Sequence, residues 1–408
     1  MSTQVVEWGE TALLDLVAIT SGQVDPRIAP YRGLPLIAPD HLEARTGRLI
    51  KKESAGAQGA ISGKYLVKPG DVIYSKIRPY LQKAYRCDFK ALCSADMYPL
   101  TPRRGTDSSF IMHTILGRDF TNFAVSVSAR SGIPKINREE LAEYRMKVPG
   151  EAEQRAIGQT LDDADALIAT LERLIAKKQA IKQGMMQQLL TGRTRLPGFA
   201  GKWTPVRLRD VGSTYGGLIG KGKNDFGTGS AVFVTFMEVM AGVRLVGNRL
   251  ARVNVGTAER QNRVLRGDVL FNGSSETPEE VALAAVVDFD TSPQTYLNSF
   301  CFGYRLKDRE HIDPTYLAYF FRSSQGRDIV SVLAQGATRY NIAKTKLMQV
   351  APVLPPIDEQ RAIVNVLRDS EIEVDALDLR LQKARAIKTG MMQQLLTGRV
   401  RLPVETVS

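Results

Sequence analysis

Cysteine and histidine are almost absent from this sequence of 408 residues. There are three cysteines (Cys87, Cys93, Cys301) and three histidines (His41, His113, His311). Three isolated cysteines cannot build a disulfide framework, and none of the six residues falls at metal-ligand spacing, so a zinc site is excluded. The histidines also lack a serine or aspartate triad context, and each is read as a surface or packing side chain. No apolar run approaches the roughly 18 residues needed to cross a bilayer. Residues 1–10 lack the basic start and apolar stretch of a secretory signal. The expected compartment is therefore a reducing cytoplasm. Nucleotide-binding signatures are equally thin. Gly217-Leu218-Ile219-Gly220-Lys221-Gly222-Lys223-Asn224 approaches a P-loop. However, Asn224 stands where a Ser or Thr must hold magnesium, so the segment reads as a flexible basic loop.

What the chain does have is apolar content for sizeable cores (43%), more length than one ordinary core uses, and a formal charge of +12. The charge is unevenly placed. Residues 1–150 hold 21 Lys+Arg against 15 Asp+Glu, residues 194–358 hold 20 against 15, and the rest of the chain holds 14 against 13. Two basic segments joined by nearly neutral ones suit two polyanion-binding modules on spacers.

The strongest signal is an internal repeat at an offset of 206 residues. Glu153-Gln154-Arg155-Ala156-Ile157 returns as Glu359-Gln360-Arg361-Ala362-Ile363, and Gly184 through Arg193 returns letter for letter as Gly390 through Arg399. Each copy closes on Arg-Leu-Pro. Over 153–197 and 359–403, 25 of 45 positions are identical without a gap. Both copies read as helices entered from prolines, with acidic first turns. Leu161, Ile168, Leu171 and Ile175 fall at a/d-like spacing, as do Leu367, Val374, Leu377 and Leu381. About 38 helical residues would span about 57 Å. A kink or break is expected at Gly184 and Gly390, and Gly192 and Gly398 are expected just past the helix ends. The simplest use of two narrow apolar stripes is an antiparallel coiled coil; the alternative packs each stripe on its own domain.

The segments before each helix repeat more weakly. Gly70-Asp71-Val72-Ile73-Tyr74 is echoed by Gly267-Asp268-Val269-Leu270-Phe271, and Gly132 through Asn137 by Gly336 through Asn341. Short β-branched and aromatic runs imply strands, while Phe110–Leu116 and Pro314–Ser323 read as helices. The fold class is thus mixed α/β, with two tandem domains (1–150 and 194–357) and two long antiparallel helices (151–193 and 358–408) related by a pseudo-twofold. Basic, amide and aromatic side chains interleave in Gly-rich loops, the composition that pairs Arg with guanine, Asn with adenine and Lys with phosphate. The candidates are Lys76, Arg78, Tyr80, Lys83, Arg130, Lys135, Asn137 and Arg138 in the first domain. Lys221, Lys223, Asn224, Arg339, Tyr340 and Asn341 are the candidates in the second.

The doubled Glu-Gln-Arg-Ala-Ile and Gly-Met-Met-Gln-Gln-Leu-Leu-Thr-Gly-Arg blocks closely resemble those of the specificity subunits of type I restriction–modification systems. The resemblance runs over essentially the whole chain. It implies two target recognition domains, each reading half of a split, asymmetric double-stranded DNA sequence with an unread spacer. It implies helices that set the spacer and dock two adenine-N6 methyltransferase subunits, with restriction/translocase subunits joining. Gln154, Arg155, Ile168, Leu171, Ile175, Met185 and Leu189 would serve that docking and spacing in the first helix. Gln360, Arg361, Val374, Leu377, Leu381, Met391 and Leu395 would do so in the second. The chain would be non-catalytic, with S-adenosylmethionine, ATP and Mg on partner subunits, in keeping with the lack of an Asn/Asp-Pro-Pro-aromatic motif. Two other classes stay open: a stand-alone DNA-binding regulator or specificity partner of another restriction-methylation class, and a coiled-coil scaffold that reads no sequence.

Overall fold

The computed structural model describes residues 7–128, 132–336 and 338–403. They form two compact units: residues up to Leu174 with those from Leu377 onward, and Ile175–Ala376. Each unit therefore joins one variable domain to the near half of its own helix and the far half of the other. The helices are Glu151–Leu189 and Ile357–Leu395, 39 residues each. Both run through Gly184 and Gly390 without the expected break. One glycine costs only about 1 kcal/mol against alanine, and burial of the following turn, Met186 and Leu189 in one helix and Leu395 in the other, outweighs it. Past both helices the backbone turns at glycines in the left-handed region, Gly192 (φ 69°) and Gly398 (φ 70°), where only a residue without Cβ is unstrained.

The helix halves run antiparallel in each unit. In the first, Lys388 reaches Asp165 at 2.5 and 2.7 Å and Arg385 reaches Glu172 at 2.6 Å. In the second, Lys178 pairs with Glu373 at 2.6 Å and Lys182 with Glu371 at 2.7 Å. The expected seam positions Ile168, Leu171, Ile175, Val374, Leu377 and Leu381 are all buried. Ile157 and Leu161 instead enter the first domain's core, as Ile363 and Leu367 enter the second's. Both sequence expectations for the stripe are thus met, in different parts of each helix.

Each domain carries a main sheet, antiparallel around a central strand that follows the repeated Gly-Asp-Val and, in the second domain, parallel at its Arg244–Leu245 edge. In the first unit Val72–Ser75 lies between Ala84–Arg86 and Met97–Pro102, with Val17–Ile19 on the outer edge. In the second, Val269–Asn272 lies between Ala284–Val287 and Cys301–Leu306, with Gly212–Gly216 and Arg244–Leu245 outside. The motif has a local cause. Gly70 (φ 92°) and Gly267 (φ 83°) take left-handed turns, and the following aspartates close them by accepting Lys68 N and Leu265 N at 2.8 Å. Asp71 and Asp268 are buried, so both need further partners. Asp71 accepts Thr101 Oγ1 at 2.8 Å. Asp268 accepts the Tyr215 hydroxyl at 2.7 Å and a forked pair from Arg305 at 2.8 and 2.7 Å.

Helices Ser108–Leu116 and Pro314–Arg322 cover these sheets, each capped by an aspartate, Asp107 or Asp313. The repeated glutamine pins each cap to the long helix. Gln154 accepts Asp107 N at 3.0 Å and donates to the Gly105 and Pro149 carbonyls. Gln360 accepts Asp313 N at 2.9 Å and donates to the His311 and Pro355 carbonyls. The repeated glutamate is clamped across the two copies. Arg401, from the second repeat, forks onto Glu153 of the first at 2.7 Å, and Trp8 Nε1 donates to the same carboxylate at 3.2 Å. Arg195, from the first repeat, forks onto Glu359 of the second, with Trp203 Nε1 at 3.2 Å. Among the described residues no helix is long and apolar enough to cross a membrane.

Candidate nucleic-acid interface

In the first unit the two candidate loops, distant in sequence, meet at one edge. The loop leaving Ser75 is bridged to the segment before helix Arg138–Ala142. Ile136 N donates to the Lys76 carbonyl at 2.9 Å and Arg78 N to the Pro134 carbonyl at 2.7 Å, while Ile77 and Lys135 form a β-bridge. Lys76 Nζ and Arg138 Cζ lie 5.4 and 5.8 Å from the Tyr98 ring centroid. This cluster is two cations within reach of one aromatic ring. Arg78, Tyr80 and Lys135 are exposed beside it. Arg78 itself sits at φ 50°, a conformation a non-glycine residue keeps only when its surroundings impose it. Arg130 lies outside the described residues.

Two candidates in this domain have structural duties. Lys83 Nζ donates to the Pro39 carbonyl at 2.6 Å. The Asn137 side chain accepts Glu140 N at 2.8 Å as the cap of helix Arg138–Ala142. Both groups are thus drawn toward the protein's own backbone.

The second unit repeats the edge with other side chains. Ser274–Ser275 pairs with Tyr340–Asn341, and Ile342 N donates to the Gly273 carbonyl at 3.1 Å. The exposed Arg339 guanidinium lies 5.1 Å from the ring of Phe300, itself exposed, and the Phe300 carbonyl accepts Gly273 N at 2.8 Å. Phe300 escaped the sequence reading because nothing in its neighbourhood repeats. The loop tip here carries Glu276, Glu279 and Glu280, all exposed, where the first unit carries Arg78 and Tyr80. The two edges therefore differ in charge while sharing a backbone.

These bonds also correct the sequence register. Ile136 N–Lys76 O matches Ile342 N–Gly273 O, so Ile136 corresponds to Ile342 and Asn137 to Ala343, not to Asn341. The apparent echo is displaced by two residues, because the Gly and Asn letters matched where the hydrogen bonds do not.

The P-loop-like segment belongs elsewhere. Its Lys221 Nζ is spent on Glu259 at 2.5 Å, and Gln261 closes onto Ile219 from both sides. Lys223 and Asn224 stay exposed, but a three-residue 3-10 turn follows where a P-loop requires a helix. The Lys221 ammonium, with the Gly256 amide and Gln261, holds the Glu259 carboxyl down at about 2. The three cysteines are free and buried, and burial pushes the Cys87 and Cys301 thiols up to about 11 and about 12, far from thiolate chemistry. His113 is buried against Asp162 at 2.9 Å, His41 is buried on the Leu36 carbonyl, and His311 is exposed beside Asp308. Among the described residues no group of acidic, His or Cys side chains could hold a metal ion.

The helix residues assigned to docking divide sharply. Gln154 and Gln360 are 2% and 1% exposed, and Leu189 and Leu395 lie in the two domain cores. They serve their own units, because burying the amides and leucines there satisfies the helix caps and closes the cores. Met185 and Met391 pack partly buried against the same cores, and Arg155 and Arg361 are exposed. A different face of the repeat is open: Lys177, Ala180, Ile181, Gln187 and Gln188 in one helix. Lys383, Ala386, Ile387, Gln393 and Gln394 repeat it in the other. The repeat also walls a groove in each unit. Gln393, Thr397 and Arg399 face Arg118 and Asn122 across about 870 Å³. Gln187, Thr191 and Arg193 face Ser324, Gln325 and Asp328 across about 470 Å³.

The fold and its edges define a class: one framework built twice, clamped by shared helices, and presenting two unlike loop surfaces. Residues 6–183 match the family model described as the type I restriction modification DNA specificity domain. The EcoDI specificity subunit of Escherichia coli is 33% identical over 154 residues, 38% of this chain and 34% of that protein. The chain thus spans about a third of the length of that relative. The MjaVIII specificity subunit of Methanocaldococcus jannaschii is 21% identical over 326 residues, covering 77% and 75%. The crystal structure of the HsdS subunit from Thermoanaerobacter tengcongensis shares the fold with a TM-score of 0.53 at 19% identity, covering 97% of each chain. The chain is thus similar, through residues 6–183 and over longer stretches at lower identity, to specificity subunits of type I restriction–modification systems.

Proposed function

We propose that this protein is the DNA sequence-recognition subunit of a type I restriction–modification complex, acting in the cytoplasm and without catalysis of its own. The observation that carries this reading is the pair of homologous loop edges with unlike side chains. Each unit bridges the loop after its Gly-Asp-Val strand to the segment before its short helix. The first edge presents Lys76, Arg78, Tyr80, Lys135 and Arg138; the second presents Glu276, Glu279, Phe300, Arg339 and Asn341. Arginine can fork onto guanine, glutamate can accept a cytosine amine, and an exposed aromatic can meet a thymine methyl or a base step. A shared frame with different side chains suits an asymmetric target read in two parts.

The second half of the proposal concerns partners. The open helix face from Lys177 to Gln188 and its twin from Lys383 to Gln394 share their lysine, alanine, isoleucine and glutamine residues. An exposed apolar residue at matching sites of both copies, Ile181 and Ile387, suits two copies of one protein surface. Two adenine-N6 methyltransferase subunits would sit there and supply S-adenosylmethionine chemistry, with restriction subunits bringing ATP and Mg. The test is to map N6-methyladenine across the host genome by long-read sequencing, with the gene present and deleted. A split, asymmetric motif that disappears on deletion supports the reading. Unchanged methylation refutes it.

A further inference from the structure

Each edge loop is held by one helix position that touches none of the loop's exposed side chains. Helix Arg118–Val127 of the first unit and helix Ser324–Ser331 of the second occupy equivalent places, each following a capped helix of nine residues. The fourth residue of the first is Thr121, and that of the second is Arg327. Thr121 Oγ1 accepts Gln82 Nε2 at 2.8 Å while donating to the Gly117 carbonyl at 2.8 Å. Arg327 donates from Nε to the Glu279 carbonyl at 2.9 Å, from Nη1 to the Ala282 carbonyl at 3.2 Å, and from Nη2 to the Val281 carbonyl.

Both anchors grip the loop at the same point. Gln82 and Ala282 each lie two residues before the returning strand, and both are non-glycine residues in the left-handed region, at φ 50° and φ 53°. Each loop also contains a proline-led 3-10 turn just upstream, Pro79–Leu81 or Pro278–Glu280. Left-handed backbone at a residue with a Cβ persists only where the surroundings over-determine it. The loops differ in length and in every exposed side chain, yet the framework grips both from one helix position with different chemistry: a hydroxyl for an amide side chain, and a guanidinium fork for three carbonyls.

We propose that Thr121 and Arg327 are specificity-positioning residues, each fixing the reading loop of its own unit and hence one half of the target. This rests on the proposal that these loops read DNA. The experiment replaces the chromosomal gene with Thr121→Val, Thr121→Ser, Arg327→Met and Arg327→Lys variants and maps N6-methyladenine genome-wide. Thr121→Val is expected to relax one half of the motif by about tenfold at one or more positions, leaving the other half intact. Thr121→Ser should restore it. Arg327→Met should relax only the opposite half, with Arg327→Lys intermediate. If methylation falls in amount while both halves keep their sequence, the residues are merely structural and the proposal fails. Relaxation of both halves together also overturns it. Absence of any split motif in the unaltered strain instead refutes the underlying reading. Should Arg327→Met fail to fold, the Thr121→Val and Thr121→Ser pair still decides the matter.

Discussion

Replacing Gln154 by Leu tests whether the repeated glutamine holds its own unit together or waits for a partner. The side chain is 2% exposed and makes three hydrogen bonds, at 3.0 Å from Asp107 N, 3.3 Å to the Gly105 carbonyl and 3.0 Å to the Pro149 carbonyl. Leucine keeps the volume and removes all three. Gly105 is exposed, so water can satisfy its carbonyl. Pro149 is buried and Asp107 N–H sits at a helix cap, so two groups lose their partners. At about 1–3 kcal/mol for each unsatisfied buried group, the expected loss is about 3 kcal/mol. For a cooperative unit of roughly 200 residues, that lowers Tm by about 6–12 °C. The assay is scanning calorimetry with amide exchange by mass spectrometry. Peptides spanning Ser108–Leu116 should lose protection while those spanning Pro314–Arg322 keep it, and Gln360→Leu should do the reverse. Gln159→Leu, on the exposed face of the same helix, should stay within about 0.5 kcal/mol. Gln154→Leu at unchanged stability but with lost methyltransferase binding would refute the structural assignment and restore a docking role.

Three further outcomes follow from the same geometry. Ile181→Glu together with Ile387→Glu should reduce the methyltransferase copies bound per chain from two to none at near-unchanged stability. Each single variant should leave one copy, read by native mass spectrometry; two copies on the double variant would exclude the helix face as the dock. Lys135→Met should lower the slope of log binding constant against log salt by about one, the signature of one lost phosphate contact; an unchanged slope removes Lys135 from the DNA backbone. The Glu259 carboxyl is depressed from 4.5 to about 2 by Lys221 first and the Gly256 amide second. Its tether is therefore present above pH 4.5 and lost as pH falls through about 2. The Gly256 amide resonance should titrate with a midpoint near 2, moving toward 4.5 in Lys221→Met. A midpoint near 4.5 in the unaltered protein would show that the ion pair does not form.

How much of this was legible in the sequence depended on whether a feature is local or paired. Helix length, the glycines past the helix ends and the strands after Gly-Asp-Val were readable because each is decided within a few residues by periodicity, capping chemistry or β-propensity. The seam residues Ile168, Leu171, Val374 and Leu381 were readable for the same reason. The Arg-Leu-Pro repeats were visible too, but not that Arg401 closes on Glu153 and Arg195 on Glu359. A charge shows its partner only when the fold brings the two together, and both carboxylates looked equally able to cap their own helix. Gln154 and Gln360 show the same limit. Identity between copies signals a shared constraint without saying whether it faces inward or outward, and burial decided it for the interior.

The loop edge makes the sharper case. Its two bridged segments lie 60 residues apart in the first unit, Lys76 to Ile136, and 69 in the second, Gly273 to Ile342, and the loops between them differ in length. Letter matching therefore aligned Asn137 with Asn341, whereas the backbone bonds of Ile136 and Ile342 show that the frame is set two residues away. A framework held by backbone hydrogen bonds and one helix anchor can tolerate such drift, because those bonds do not depend on side-chain identity. That tolerance would let Arg78 and Tyr80 in one loop and Glu276 and Glu279 in the other change without disturbing the scaffold. It also hides the edge from sequence comparison: its exposed side chains are the ones least fixed by the fold. Thr121 and Arg327 mark the boundary between the two regimes: Arg327 holds its loop by backbone carbonyls and Thr121 by the Gln82 amide, so only the second grip depends on a loop side chain.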